Sequence, residues 1–271
     1  MNIDELTRRS EAMLARLVGF DTTSARSNLA MIDALEELSK ASGARTRRFF
    51  NDDGTKANLL ASIGPDVPGG IILSGHSDVV PCTGQPWSTD PFDLTLKDGR
   101  FYGRGTADMK AFIACAMAAA PVFAERPLSR PIHFAWSYDE EVGCTGAPSM
   151  IDGIAREVPA PAAVIVGEPT EMKIVGAHKG VHVAEIRIHG HEAHSSLTHL
   201  GISANMIAAR LMAKLVEVEQ ALVRVADPAS PFAPPHATLT IGQIEGGTAM
   251  NILARSCRFV FDLRVTPDLS A

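Results

Sequence analysis

The feature that most constrains this chain is a short apolar run that ends abruptly in polar residues. Residues 71–73 are Ile-Ile-Leu, which indicates a buried strand, and His76 and Asp78 follow shortly after it. In open α/β sheets, binding and catalytic groups gather at the carboxyl ends of the strands. We therefore expect His76 and Asp78 to lie at a sheet edge where a site is built.

Acidic residues also stand at three later positions where a strand ends or a helix begins. These residues are Asp108, Glu140, Glu141 and Glu168. With Asp78 they place five carboxylates and one imidazole at one edge of the predicted sheet. Like charges in a partly dry cleft raise one another's pKa unless cations neutralise them. The sequence therefore predicts a site for two divalent ions.

The composition is that of a soluble globular protein. The 271 residues are 46% hydrophobic and 21% charged, and the net charge of −6 argues against nucleic-acid and anionic-membrane partners. The four cysteines form no Cys-x-x-Cys pair and no disulfide framework. The polar start, Asn2 to Glu5, is no signal segment, and the apolar stretch 109–124 is too short to span a membrane. We expect a cytoplasmic protein.

Hydrophobic periodicity predicts an α/β fold for the first part of the chain. Helices are expected over 3–18, 28–41 and 109–123, and a strand hairpin over 46–50 and 58–63. Strand and helix then alternate up to Pro169, which indicates a mostly parallel sheet sandwiched by helices on both faces.

After Gly176 the pattern changes to that of a small α+β domain. Strands are expected over 181–189, 237–244 and 257–265, with a long amphipathic helix over 203–222. We therefore divide the chain into a catalytic domain, 1–176, and a second domain, 177–271, whose sheet is covered by helices on one side.

Four motifs in one order carry a resemblance to a known family. They are His76-Ser77-Asp78, residues 103–110 (Gly-Arg-Gly-Thr-Ala-Asp-Met-Lys), Asp139-Glu140-Glu141 and Gly167-Glu168-Pro169-Thr170. In this order and spacing the chain resembles the M20 metallopeptidase/deacylase family over essentially its whole length. The resemblance implies a zinc-exopeptidase-like fold in which the second domain is an inserted lid and dimerisation domain.

The resemblance also implies a ligand set for two ions, Zn²⁺ or Co²⁺. His76 and Glu168 would hold one ion, Glu141 would hold the second, and Asp108 would bridge the pair. Imidazole and carboxylate suit these metals, and a bridging carboxylate is typical of two-metal hydrolases. The second ring N–H of His76 would be accepted by Asp78, and Glu140 would be the general base.

In the second domain, the resemblance implies residues that act on the substrate. His194 would reach the active site of the opposite subunit of a homodimer and donate to the oxyanion. Asn251 and Arg264 would contact the substrate, with Arg264 gripping a carboxylate. A Gly-rich turn before Asn251 and a surface salt bridge at Arg264 remain alternative interpretations.

The implied substrate is a small N-acylated amino acid. The reaction would remove the acetyl group of N2-acetyl-L-ornithine, giving L-ornithine and acetate in arginine biosynthesis; succinyl-diaminopimelate and dipeptides remain open as alternatives. Family members continue beyond the position of Ala271 and supply a last His to the second ion, whereas no His follows His236 here. We therefore expect a truncated, weakly stable and largely inactive chain, or alternatively a non-catalytic dimerising fragment.

Overall fold

The computed structural model describes residues 2–267 and residue 269. Backbone proximity divides the chain into two compact units, Met1–Met172 and Lys173–Ala271. Each unit has its own apolar core, the first around the central sheet and the second around a single long helix. The two units are therefore described separately.

The first unit alternates helices and strands. In chain order its elements are α1 (Ile3–Val18), α2 (Leu29–Ala41), β1 (Arg45–Phe50), β2 (Ala57–Ile63), β3 (Ile71–His76), β4 (Thr95–Lys97), β5 (Arg100–Tyr102), α3 (Lys110–Ala124), β6 (Ile132–Ser137), α4 (Ala147–Glu157) and β7 (Ala163–Val166). The helix and strand ranges expected from periodicity agree with these bounds to within a few residues.

Five of these strands form one mixed sheet in the order β1-β2-β6-β3-β7. The predicted hairpin is present, because β1 pairs antiparallel with β2, and Phe50 lies opposite Ala57. Strand β2 is antiparallel to β6, whereas β3 is parallel to both β6 and β7. Four strands thus run in one direction and only β2 is reversed, so the predicted α/β class is confirmed. Strand β7 is an edge strand, and its four residues are exposed.

Helices cover both faces of this sheet. Strand β2 is buried along its whole length, and its successive residues point to opposite faces. Leu59 belongs to the larger core with α1, α2 and α3. Leu60 belongs to a smaller core with Ile72, Ala135 and Met150, the last from α4. The near-continuous apolar run of β2 is the sequence signal of a strand that is covered on both sides.

A short hairpin, β4–β5, was not expected from the sequence. Its strands have three residues each, and the turn between them is Asp98-Gly99, with φ of 51° and 71°. Two successive left-handed residues are typical of the tight turn that joins twisted strands, and Asp-Gly favours it. The strands are too short to give a recognisable alternation.

The second unit is the predicted α+β arrangement. It contains β8 (Gly180–His189), a 3-10 turn (Thr198–Leu200), α5 (Ala204–Arg224), β9 (Thr238–Gly246) and β10 (Ser256–Val265). The strands form an antiparallel sheet in the order β8-β10-β9. Ala204 and Ala208 of α5 pack on Ile188 and Phe259, so one face of this sheet is covered by a helix.

Across residues 2–267 and 269, no helix combines the length and the apolarity that crossing a bilayer requires.

Candidate metal centre

His76 is the last residue of β3, and close packing fixes its backbone. Its N–H donates to the Met109 sulfur at 3.3 Å, and Met109 is fully buried. A Cβ on the preceding Gly75 would lie 2.6 Å from Met109 Cε, closer than side chains approach. Glycine at position 75 therefore allows Met109 to pack directly beneath the histidine.

The ring of His76 is oriented by its own chain. Nδ1 lies 2.9 Å from the carbonyl oxygen of Asp78, so this nitrogen carries a proton and donates. The other nitrogen, Nε2, faces carboxylates: it lies 3.0 Å from Asp108 Oδ1, 3.8 Å from Glu168 Oε1 and 3.9 Å from Glu140 Oε2. A neutral imidazole with Nδ1 protonated offers its Nε2 lone pair to a metal ion.

The role of Asp78 differs from the prediction in one respect. The ring N–H bonds to the Asp78 carbonyl, while the nearer carboxylate oxygen lies 3.5 Å from Nδ1. The carboxylate instead accepts the backbone N–H of Glu140 at 3.1 Å, that of Glu141 at 3.2 Å and the Ser24 hydroxyl at 2.7 Å. Asp78 therefore positions both the imidazole and the acidic pair, because β3 ends beside the segment that follows β6.

Two groups of potential ligands share His76. In one, His76 lies with Asp108 and Glu168, and in the other with Glu140 and Glu141; within each group one ligand atom per residue lies within 4.8 Å of the others. The first group is the set predicted for the first ion together with its bridge. The predicted metal-binding residues therefore lie together in the first unit, and their chemistry, imidazole with carboxylate, fits zinc or cobalt.

The electrostatics of the cluster favour bound cations. Burial raises the pKa of Glu141, and the negative charge of Asp108 raises it further. Burial also raises the pKa of Glu168, where the charge of His76 opposes the shift and Asp108 adds to it. Burial disfavours protonated His76, but the hydrogen bond and charge of Asp78, with the other carboxylates, outweigh it and raise its pKa to about 9. Divalent ions would relieve the repulsion among these carboxylates.

A cavity of about 200 Å³ adjoins the cluster. Its lining residues are Val80, Gly103, Arg104, Gly105, Thr106, Ala107, Asp108 and Glu141. Two predicted metal-binding carboxylates thus border a space in which a ligand can approach them, whereas Asp78 is almost completely buried.

The other predicted site residues lie in the second unit. His194 is exposed; its Nδ1 lies 2.8 Å from Ser196 Oγ, and the next residue donates its N–H to the Asn251 carbonyl at 2.9 Å. His194 and Asn251 are therefore on neighbouring segments. Arg264 is exposed on β10 and forms a bidentate pair with Asp262, at 2.8 and 3.0 Å. The hydrogen bonds to Asp262 raise the pKa of Arg264 above its ordinary value.

Sequence reasoning missed several polar residues that support the centre. Asn28, beside the start of α2, binds the backbone of Ala57 and the hydroxyl of Ser77, which follows His76. Asn58, fully buried in β2, binds the carbonyl of Gly146 at 2.9 Å. In the sequence, Asn58 could have been noticed as an Asn inside an apolar strand, because a buried amide requires hydrogen-bond partners.

An α/β fold with imidazole and carboxylates grouped at the ends of its strands defines a candidate metallohydrolase. The sequence agrees, because residues 72–254 match peptidase family M20/M25/M40. The chain belongs to this family, and the predicted resemblance is confirmed.

Two curated relatives and one solved structure show which members of the family the chain resembles. The chain is 41% identical over 262 residues to the acetylornithine deacetylase of Myxococcus xanthus, covering 94% of this chain and 67% of the relative. It is 37% identical over 246 residues to the acetylornithine deacetylase of Pasteurella multocida (strain Pm70), covering 90% and 63%. The chain thus spans about two thirds of the length of these curated relatives. Its fold is similar to that of an M20 family metallo-carboxypeptidase from Sulfolobus solfataricus, with a TM-score of 0.78 at 17% identity, covering 96% of this chain and 72% of that one.

Proposed function

We propose that this protein is a binuclear-metal amidohydrolase that removes the acetyl group of N2-acetyl-L-ornithine. The observation that carries the proposal is the grouping of carboxylates around Nε2 of one buried histidine, His76, in two overlapping ligand sets. The names of the relatives that share 36–41% of its residues support the substrate. The products would be L-ornithine and acetate.

The proposed ligands divide between two metal ions. His76 and Glu168 would hold the first, Glu141 the second, and Asp108, which lies in the first ligand group and borders the cavity with Glu141, would bridge them. When bound, such ions polarise an amide carbonyl and lower the pKa of a water molecule. Zinc or cobalt fits this donor set.

Glu140 is the residue suited to move protons. Its side chain is 39% exposed, whereas its backbone N–H is fixed by Asp78. Glu140 takes a proton from the attacking water as the new carbon–oxygen bond forms at the acetyl carbonyl. It then passes the proton to the ornithine nitrogen as the carbon–nitrogen bond breaks. The neighbouring Glu141 remains a carboxylate that is free to bind metal.

Three residues of the second unit are given roles as part of the same proposal. We propose that His194, contributed from the opposite subunit of a homodimer, donates a hydrogen bond to the oxyanion, and that Asn251 and Arg264 bind the substrate. The exposed positions of these three side chains support this assignment. The corresponding cellular role is that of a cytoplasmic enzyme in arginine biosynthesis. Other M20 deacylases, such as a succinyl-diaminopimelate desuccinylase, or a dipeptidase remain the second candidates.

The test is metal content with acetate release, measured on the purified wild-type chain, on Asp108→Ala and on the control Asp52→Ala. Asp52 is an exposed turn residue between β1 and β2. The proposal requires two ions per chain and acetate from N2-acetylornithine, both reduced in Asp108→Ala and unchanged in the control, whereas one ion or none and no acetate would match the largely inactive chain expected from the sequence. Stoichiometric zinc that Asp108→Ala retains in full would contradict the bridging role. Faster hydrolysis of succinyl-diaminopimelate or a dipeptide would identify that compound as the substrate and would leave the proposed reaction class unchanged.

A further inference from the structure

The segment 138–146, which carries the acidic pair, is held at both ends by one side chain. Asn58 Oδ1 accepts the N–H of Tyr138 at 3.1 Å, and its Nδ2 donates to the carbonyl of Gly146 at 2.9 Å. Between these anchors, Asp139 adopts a left-handed backbone with φ of 56°. This conformation is accessible to Asp but is not its preferred one, so surrounding contacts must select it.

Lys56 supplies those contacts. Its Nζ lies 2.6 and 2.7 Å from the two carboxylate oxygens of Asp139 and 2.5 Å from the carbonyl of Ser24. The hydroxyl of the same Ser24 donates to Asp78, whose carboxylate holds the N–H groups of the acidic pair. Lys56 therefore joins the residue that precedes Glu140 to the residue that fixes Asp78.

From this geometry we propose that Lys56 is a positioning residue of the metal centre. Acting through Asp139, it fixes the backbone from which Glu140 and Glu141 project. The inference deepens the proposed function and rests on it for its catalytic meaning. The contacts themselves stand independently of any bound ion.

The pair differs from an ordinary surface salt bridge. Exposed ion pairs contribute little because water competes and two long side chains must be ordered. Here the side chains of Lys56 and Asp139 are only 15% and 13% exposed, and the ammonium has three acceptors within 2.7 Å. Its three donors are thereby used, so Lys56 is fixed in one place. Removing it would leave a largely buried carboxylate unpaired beside the acidic cluster.

Hydrogen exchange tests the inference without metal or substrate. The amides of residues 140 and 141 are followed by mass spectrometry in the metal-free wild type, in Lys56→Met, in Lys56→Arg and in the control Lys40→Met. Lys40 has a side chain that is 59% exposed, pairs with Glu36 at 3.1 Å on α2, and has no contact with the segment 138–146 in the ion pairs of the described residues. Lost hydrogen bonds to a charged group should speed exchange about tenfold in Lys56→Met. The control should match wild type, and Lys56→Arg should recover part of the protection.

A zinc titration of the same proteins gives the second readout. Lys56→Met should weaken the weaker of two zinc-binding steps about tenfold, since Glu141 lies on the loosened segment. The double variant Lys56→Met/Asp139→Asn should bind zinc no more weakly than Lys56→Met, because both substitutions remove one interaction. If Lys56→Met does not fold, Asp139→Asn carries the same two measurements.

Wild-type exchange rates at residues 140 and 141 in a folded Lys56→Met, or additive losses in the double variant, would overturn the inference. Failure of the wild type to bind zinc would instead refute the proposed function, while the exchange comparison would still decide the role of Lys56.

Discussion

Replacing Asp78 by Asn tests the central hydrogen-bond arrangement with almost no change in shape. The carboxylate accepts Glu140 N–H on Oδ1, and it accepts both Glu141 N–H and the Ser24 hydroxyl on Oδ2. An asparagine has one accepting oxygen and one donating NH₂ group. Whichever way the amide turns, one backbone N–H must face another donor.

The expected cost follows from the number of bonds lost. A hydrogen bond to a charged group contributes about 1.5–3 kcal/mol, and Asp78→Asn removes at least one such bond in a buried place. The pKa of Asp78 is lowered in the folded protein because, although burial opposes it, His76, Ser24 and the Glu140 N–H favour the charged form. We therefore expect the free energy of unfolding to fall by about 2–3 kcal/mol.

Urea denaturation at pH 7 gives the measurement, and Asp53→Asn is the matched control. Asp53 is exposed and accepts both of its bonds from Thr55 on a single oxygen, which an amide can replace. The control should unfold like wild type, and zinc should bind Asp78→Asn more weakly. A change below about 0.5 kcal/mol in Asp78→Asn, the range of ordinary surface substitutions, would refute the argument that both carboxylate oxygens are needed.

Three further perturbations follow from the geometry. Gly75→Ala should destabilise the protein by about 1–3 kcal/mol in urea denaturation, because its methyl group would overlap Met109; wild-type stability would show that Met109 moves freely. Burial lowers the pKa of His133 below the usual 6.5, so the contribution of His133 to stability should be complete above pH 6.5 and decrease as the pH falls below it. His133→Gln should reduce the loss of stability on this acid side in urea denaturation, and an unchanged profile there would contradict a buried neutral histidine. The proposed binding of a substrate carboxylate by Arg264 requires Arg264 to leave Asp262, so Asp262→Asn should lower KM for N2-acetylornithine roughly threefold. An unchanged KM would argue against that proposed role.

The convergence of the proposed metal-binding residues could be predicted because it depends on local patterns. Apolar runs indicate strands, and the carboxyl ends of parallel strands meet at one edge. By this rule His76, at the end of β3, and Glu140, after β6, lie at the same edge, and the pairing of β3 with β6 brings them within 3.9 Å. The order of the strands in the sheet could not be predicted in the same way, because an apolar run does not show which other strand it pairs with.

The supporting residues could not be predicted because their partners are distant in the chain. In the sequence Lys56 is an ordinary charged residue just before a strand, and only the structure places Asp139 beside it. The same is true of Asn28, whose amide bonds Ala57 and Ser77. The backbone bonds of Asp78 were missed because its position two residues after His76 indicated a role in orienting the ring.

The place of β6 in the sheet has a consequence for the emerging polypeptide. Strands β2 and β3 follow each other in the chain, but β6 separates them in the sheet. A ribosome must therefore deliver residues 132–137 before the histidine strand has its central neighbour, since β7 comes later still. Until then the edges of β2 and β3 can pair with each other or with other chains, as exposed strands do. Synthesis of this protein should consequently be most vulnerable to aggregation while the stretch between β3 and β6 is being translated.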